Sequence, residues 1–271
     1  MNRRASPCAI LTVFCLFANA ALLQAQEPAF AAGNWDDDTI VLLGADMASV
    51  DSFAAGAEDP NGVAFDGTLI YSAHFTNDTV YAYDLDGNIQ FSWTRGELGS
   101  VQAMTFSGGA LVFGGALDDI FFVDPADGSD IRDIPLPDQC SGLEGMQAVG
   151  GNLWLLCDEG LILIDATSGS FIGSQSSPTS GCSFSGTALA AADTTTLVLG
   201  CGSGDWYFYD IVSESVVDSG NNGIAMFGLT ALLFEDLPPP SVLEIPTLGD
   251  VGAILLALLL AAAAGMVLRK R

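Results

Sequence analysis

The sequence predicts an all-β protein: a five-bladed β-propeller of four-stranded antiparallel blades, held between two membrane-targeting ends. The first observation behind this prediction is a strand-like segment that returns about every forty residues. The second is an apolar run next to basic residues at each end of the chain. The composition agrees, since 31 glycines and only 15% charged residues among 271 are typical of short strands joined by tight turns.

The repeat is clearest in five apolar segments rich in Val, Ile, Phe and Tyr. They occupy residues 39–44, 79–84, 119–124, 160–165 and 205–210. Their last positions are 40, 40, 41 and 45 residues apart, a spacing typical of propeller blades or solenoid repeats. Further strand patterns and turn signals precede and follow each segment, so each period contains four short strands. A ring of such blades avoids long exposed sheet edges.

The two ends of the repeat region complement each other. Residues 29–53 supply three strands of a blade, and Leu229–Phe234 supplies one more. We therefore expect the first and last strands to share one sheet and close a propeller within residues 26–236. The alternatives are a two-plus-two division of the closing blade, a sixth blade, or a right-handed parallel β-helix, for whose coils forty residues is long.

One blade carries a family resemblance. The segment Pro60–Tyr71, Pro-Asn-Gly-Val-Ala-Phe-Asp-Gly-Thr-Leu-Ile-Tyr, resembles the repeats of NHL-like propellers. The resemblance implies the propeller fold over about 200 residues. Because that broad group includes binding scaffolds as well as metal-dependent lactonases and lyases, it does not fix the chemistry.

The N-terminal segment, residues 1–25, has the pattern of a secretory signal peptide. Arg3 and Arg4 precede an apolar run from Ala9 to Leu23, and small residues allow cleavage after Ala25 or Ala20. An uncleaved transmembrane anchor is the alternative.

The C-terminal segment has the pattern of a membrane anchor. Residues 237–244 form a Pro-rich linker, and Val251–Leu268 is an apolar run of 18 residues, just long enough to cross a bilayer as a helix. Arg269, Lys270 and Arg271 follow it and should remain on the cytoplasmic side. The acidic body would then be exported.

The tail also carries a second family resemblance. Residues 245–252 read Ile-Pro-Thr-Leu-Gly-Asp-Val-Gly, followed by the apolar run and the basic end. This resembles the IPTL-type C-terminal sorting signals of Gram-negative bacteria, which are related to PEP-CTERM tails; those usually have Trp where this chain has Val251. The resemblance implies processing by an exosortase-type membrane enzyme, and hence a precursor anchored in the inner membrane and facing the periplasm before it reaches the surface or medium. The recognition positions it implies are Ile245, Pro246, Thr247, Leu248 and Gly252.

Four cysteines remain in the exported part: Cys140, Cys157, Cys182 and Cys201. An even number of cysteines outside the cytoplasm predicts two disulfides, with three pairings possible. In the blade alignment, one cysteine precedes the first strand of a blade and the next ends its second strand, in two consecutive blades. Because these positions are adjacent in an antiparallel hairpin, we expect Cys140–Cys157 and Cys182–Cys201.

The net charge of the chain and its small number of potential catalytic groups limit the functions that it can have. A net charge of −26 excludes nucleic-acid binding, and between residues 5 and 268 Arg95 and Arg132 are the only basic residues. The single histidine, His74, could act as a base or ligand, but a solvated or structurally satisfied loop histidine is the simpler interpretation. The preferred function is therefore a non-enzymatic binding module for a surface polysaccharide or protein, with no cofactor.

The alternative function is a Ca²⁺-dependent hydrolase or lyase with an acidic pocket at the mouth of the ring. The carboxylates expected on the face that carries the cysteines are Glu58, Asp59, Asp78, Asp118, Asp119, Asp138, Asp158, Glu159 and Asp205. Residues 84–88, Asp-Leu-Asp-Gly-Asn, also imitate the start of a calcium loop, although the twelfth position is Arg95. A hairpin turn is the simpler interpretation of that segment.

Overall fold

A computed structural model describes residues 27–74, 76–96, 101–115, 118–176, 182 and 188–232. The predicted signal peptide, Pro-rich linker and sorting tail, including Ile245, Pro246, Thr247, Leu248 and Gly252, lie outside these residues. Within the described ranges, no helix has the length and apolar character needed to span a bilayer.

Twenty strands form five four-stranded sheets. Blade 1 contains β1 (Phe30–Asn34), β2 (Thr39–Leu43), β3 (Ser49–Ala54) and, from the far end of the chain, β20 (Met226–Ala231). Blade 2 contains β4 (Pro60–Phe65), β5 (Ile70–His74), β6 (Thr79–Tyr83) and β7 (Ile89–Thr94). Blade 3 contains β8 (Val101–Ser107), β9 (Ala110–Gly115), β10 (Asp119–Val123) and β11 (Asp130–Pro135). Blade 4 contains β12 (Gly145–Val149), β13 (Asn152–Cys157), β14 (Gly160–Asp165) and β15 (Phe171–Gln175). Blade 5 contains β16 (Ala188–Ala191), β17 (Thr196–Gly200), β18 (Asp205–Asp210) and β19 (Ser215–Asn221).

The ring closes by pairing the last strand with the first. β20 runs antiparallel to β1, with Ala231 opposite Phe30 and Thr230 opposite Ala31, and the Leu232 N–H donates to the Ala29 carbonyl at 2.8 Å. The five-bladed ring and its closure are therefore confirmed. The predicted start of the closing strand, Leu229, was three residues too late, because a β-bulge at Phe227 and Gly228 lets the strand begin at Met226.

The core lies between neighbouring blades. Inner and middle strands bury both faces, as in β12, where every residue is buried, whereas the outermost strands are largely exposed, as in β3. One cluster joins blades 3 and 4 through side chains such as Ile120, Leu143 and Leu153. This explains why the inner strands read as continuous apolar runs rather than as an alternating pattern.

A recurring contact holds the outer strand against the next blade at three interfaces. The last hairpin turn of blade 3 contains Gly128, with φ of 72°, and a Cβ there would lie 2.5 Å from the Trp93 ring of blade 2. The Trp93 Nε1–H also donates to the Pro125 carbonyl in this turn at 3.0 Å. Phe53 contacts Gly87 in the same way at the preceding interface, and Ile134 contacts Gly169 at the following one.

The ring has two distinct faces. We call the end where the inner strands begin the disulfide face; it carries the connectors between blades and the turns between second and third strands. The opposite end, the hairpin face, carries the turns between third and fourth strands. β1 starts and β20 ends at the hairpin face, so the chain enters and leaves the ring there.

We predict that the ring depends on β20. A chain ending at Leu232 should unfold cooperatively, whereas one ending at Ala225 loses β20, opens the backbone edge of β1 and uncovers the apolar surface of blade 5 on which Met226 and Leu229 pack. Urea denaturation should give the shorter chain a markedly lower midpoint, and its β1 amides should exchange rapidly with deuterium. Equal midpoints for the two chains would contradict the role of closure.

Candidate functional site at the disulfide face

The two predicted disulfides are present and lie on the same face. Cys140, before β12, is joined to Cys157 at the end of β13, with Cα atoms 5.3 Å apart. Cys182 is joined to Cys201, which directly follows β17, with Cα atoms 5.5 Å apart. The alternating strand directions within each blade bring these positions together. Two disulfides are typical of a protein outside the reducing cytoplasm, in the periplasm or beyond the cell.

The inner strands that surround the central channel carry no acidic, basic or thiol side chain. The polar residues on β4, β8, β12, β16 and β20 are Asn61, Gln102, Thr105, Ser107, Gln147 and Thr230. The expected acidic pocket at the centre of the ring is therefore not formed by these strands.

Neutral polar groups instead connect adjacent inner strands. The Asn61 Nδ2 donates to the Val101 carbonyl at 2.7 Å, which joins blades 2 and 3. The Ala148 N–H donates to Thr105 Oγ1 at 3.2 Å, which joins blades 3 and 4, and the Ala148 carbonyl accepts from Gln147 Nε2 at 2.9 Å. These side-chain amides and hydroxyls thus form hydrogen bonds with backbone groups of the inner strands at edges where no neighbouring strand pairs with them.

Three consecutive inner strands have a β-bulge at their disulfide-face ends. The bulges include Asn61 in β4, Gln102 in β8, and Phe227 with Gly228 in β20. Bulges re-aim side chains and are common next to functional sites. Gly228 has φ of 106° and no room for a Cβ, which would lie 2.5 Å from the Asn61 carbonyl oxygen, so the backbones of β20 and β4 are in direct contact.

An aromatic pair lies beside these bulges. Trp35, in the turn after β1, packs on Phe227 with ring centroids 4.8 Å apart and planes at 34°, and both residues are partly exposed. The Trp35 N–H donates to the Ala225 carbonyl at 3.3 Å, which ties the turn to the start of β20. We call Trp35, Phe227, Asn61 and Gln102 the mouth. Sequence analysis missed it because Trp35 and Phe227 are 192 positions apart and only ring closure brings them together.

The nine predicted carboxylates all lie on the disulfide face but do not converge. They occupy connectors and turns of all five blades or the first residue of a third strand, and none is buried. Among the described residues, no group of three or more His, Cys, Asp or Glu side chains is arranged to hold a metal ion. Three of the nine are used locally. The Ser141 hydroxyl donates to Glu159 Oε1 at 2.6 Å and lies 3.5 Å from Asp158 Oδ2, and the Asn221 amide donates to Asp205 Oδ1 at 2.7 Å. These hydrogen bonds hold the pKa values of Glu159 and Asp205 below their usual range.

The calcium-loop-like segment forms a hairpin turn. Asp84 Oδ1 accepts from the backbone N–H groups of Asp86 and Asn88 at 3.1 and 2.8 Å, so its carboxylate is already engaged within the turn. Equivalent turns in the next three blades are closed by Asp124, Asp165 and Asp210. Repetition in four of the five blades indicates a structural role on the hairpin face, typical of aspartate in Asx turns.

His74 is structural and fully buried. It is the last residue of β5, and its Nε2 lies 2.7 Å from Ser72 Oγ and its Nδ1 3.0 Å from the Glu58 carbonyl. Tyr83 OH lies 3.2 Å from the same serine and accepts from the Gly56 N–H at 2.8 Å. Because His74, Ser72 and Tyr83 are each 0% exposed, a substrate cannot reach them. Of the two interpretations that the sequence left open for His74, the structure has the structurally satisfied one and not the solvated one. Burial holds the pKa of His74 below its ordinary value.

The two arginines of the body are both engaged between blades. Arg95, following β7, forms an ion pair with Asp130 at the start of β11 and lies 5.0 Å from the Phe121 ring centroid. Arg132 stacks 3.4 Å from the Phe122 ring centroid and donates to the Ala166 carbonyl at 2.6 Å. Neither bond network involves the mouth.

Comparison with known proteins shows the fold but no family. No family model matches the chain, and no curated protein matches it. The chain is similar to a solved glutaminyl cyclase of Myxococcus xanthus, with 13% identity, a TM-score of 0.51, and coverage of 67% of this chain and 81% of that one. A protein of unknown function from Bacteroides caccae has 14% identity, a TM-score of 0.47, and coverage of 72% and 73%. At such identities the likeness to the cyclase concerns the fold alone.

We predict that the buried state of His74 makes stability fall in mild acid. The folded chain holds the imidazole neutral, whereas the unfolded chain protonates near its ordinary pKa of about 6.5. The unfolded state then binds more protons, so the contribution of His74 is complete above that pH and is lost as the pH falls towards the lower folded pKa. Urea denaturation at pH 7.5 and pH 5.5 should show this loss, which is at most about 1.4 kcal/mol because pH 5.5 lies about one unit below the pKa of the unfolded chain.

The control is His74→Gln, which should be less stable at both values but should show a smaller difference between them. Because the chain contains one histidine, its proton NMR signals give the folded pKa directly. A folded pKa at or above the ordinary value would contradict the prediction.

Proposed function

We propose that this protein is an exported, non-enzymatic binding module that holds a polysaccharide of the cell envelope at the mouth. The observation that carries the proposal is the partly exposed Trp35–Phe227 pair, on the same face of the ring as the partly exposed Gln102 amide and beside inner strands without acidic, basic or thiol groups. Aromatic faces pack on the apolar faces of sugar rings, and amides can donate to and accept from sugar hydroxyls.

The arrangement favours binding over catalysis. General acid–base or nucleophilic chemistry needs a pair of positioned groups within reach of a substrate. The buried Ser72–His74 pair has no access to solvent, and the exposed carboxylates of the disulfide face are spread over five blades. For the same reason the calcium-dependent hydrolase or lyase has no observation in its favour.

Trp35→Ala should weaken polysaccharide binding by about tenfold or more, since losing a stacking partner worth about 1.4 kcal/mol has that effect. Phe227→Ala should do the same. The measurement is a screen of the protein against immobilised envelope glycans, followed by calorimetry with the best ligand. Phe171→Ala is the matched control, since Phe171 is 45% exposed but lies towards the hairpin face.

All three variants should keep an unfolding midpoint close to that of the unaltered chain. A change in affinity then reflects the loss of contacts with the ligand and not unfolding of the protein. Binding that is unaffected by Trp35→Ala and Phe227→Ala, or lost equally in Phe171→Ala, would contradict a site at the mouth.

The route of export forms the second part of the proposal. The precursor is held in the inner membrane by residues 251–268 and faces the periplasm, and an exosortase-type enzyme recognises the segment from Ile245 to Gly252. Support comes from the two disulfides and from the position of Ala231, the last residue of β20, at the hairpin face, opposite the mouth.

Processing predicts that the mature protein lacks residues 251–268. Mass spectrometry of the protein recovered from the native cell surface or medium should find its C-terminus before Val251, and Pro246→Ala should leave the intact precursor in the membrane. Val242→Ala, outside the motif, serves as the control. Recovery of the complete tail from surface-exposed protein would contradict exosortase processing.

A further inference from the structure

Carboxylates are concentrated on the part of the disulfide face that adjoins the mouth. They lie in the β1–β2 turn, the connector between blades 1 and 2, and the β5–β6 turn, and comprise Asp36, Asp37, Asp38, Glu58, Asp59 and Asp78. The described residues of these three segments include no lysine or arginine. The Arg95 guanidinium pairs with Asp130 of blade 3, although the Arg95 backbone N–H donates to the Asp78 carbonyl at 2.9 Å, and the Arg132 guanidinium donates to Ala166 of blade 4.

A buried amide next to these carboxylates has an unused acceptor. Asn34, at the end of β1, is 6% exposed, and its Nδ2 donates to Asp37 Oδ2 at 3.0 Å. Its Oδ1 has no hydrogen-bond partner among the described residues. The amide therefore lies against the acidic turn, and its unpaired acceptor is buried beneath that turn. The carboxylates of the turn favour a ligand that donates hydrogen bonds and carries positive charge.

The aromatic pair also favours a positively charged ligand. Trp35 stands between Asn34 and Asp36 in the chain, so its ring is attached to the turn that carries the carboxylates. A cation over the face of an aromatic ring is attracted by the ring quadrupole, most strongly for Trp. Trp35 and the acidic turn can thus contact the same positively charged group.

We propose that the ligand of the mouth is a polysaccharide that carries protonated amines, such as an amino-sugar polymer without N-acetyl groups. This inference rests on the proposed function and specifies its ligand. The ammonium groups would interact with the carboxylates and the Trp35 ring, and the sugar hydroxyls with the partly exposed amide of Gln102. A polyanion would instead be repelled by a chain with a net charge of −26.

The test compares two hexasaccharides with the same backbone. The hexamer of glucosamine is cationic at pH 6, whereas the hexamer of N-acetylglucosamine is neutral. Calorimetry with the full-length chain in a nonionic detergent should give about tenfold tighter binding of the cationic hexamer at low salt, and the difference should shrink as salt screens the charges.

The double variant Asp36→Asn, Glu58→Gln removes two exposed carboxylates beside the mouth, and neither side chain makes a hydrogen bond within the described part of the chain. It should lose most of the preference for the cationic hexamer. Asp86→Asn, Glu214→Gln makes the same change of charge on the hairpin face and should keep the preference.

The possible outcomes separate the two proposals. Equal or tighter binding of the neutral hexamer, with loss on Trp35→Ala, overturns the inference about charge and leaves the polysaccharide site intact. A preference for the cationic hexamer that survives in both the mouth double variant and Trp35→Ala overturns the inference, because the charge would then act through the whole surface. Binding of neither hexamer also overturns it, and the glycan screen then decides whether a polysaccharide site exists at all.

Discussion

The pairing of β20 with β1 is the constraint on which the rest of the structure depends. Each blade buries its faces only against the two neighbouring blades, so the core is continuous only if the ring is closed. In a linear array the first and last blades would each expose an apolar face. Backbone hydrogen bonds join Ala29–Phe30 to Ala231–Leu232, which are about 200 positions apart in the chain. Because of this closure, the local hairpins form one cooperative unit.

The same closure builds the mouth. Phe227 belongs to the last strand and Trp35 to the turn after the first, and they meet because these strands are neighbours in blade 1. The bulge at Phe227 and Gly228 then brings β20 into backbone contact with β4 of blade 2. A ring that opened at this blade would lose its fold and its candidate site together. The other interblade contacts, such as Trp93 on Gly128, stabilise the rim of the ring without touching the mouth.

The acidic residues discussed above form two groups, which lie on opposite faces of the ring and have different surroundings. On the hairpin face, Asp84, Asp124, Asp165 and Asp210 close equivalent turns, and their charge is a consequence of turn chemistry repeated around the ring. On the disulfide face, the carboxylates near the mouth are exposed or partly exposed and have no basic neighbours among the described residues of their own segments.

The sequence by itself determined the five blades, the order of strands within them and both disulfides, because strand periodicity and turn residues are local properties that repeat every forty residues. It also located the carboxylates by face, since alternating strand directions assign each turn to one end of the ring. Tertiary structure alone decided the start of β20, the complete burial of His74 and the meeting of Trp35 with Phe227. These features arise from a bulge, from packing between blades and from contact across the closed ring, and none of them leaves a periodic signal in the chain.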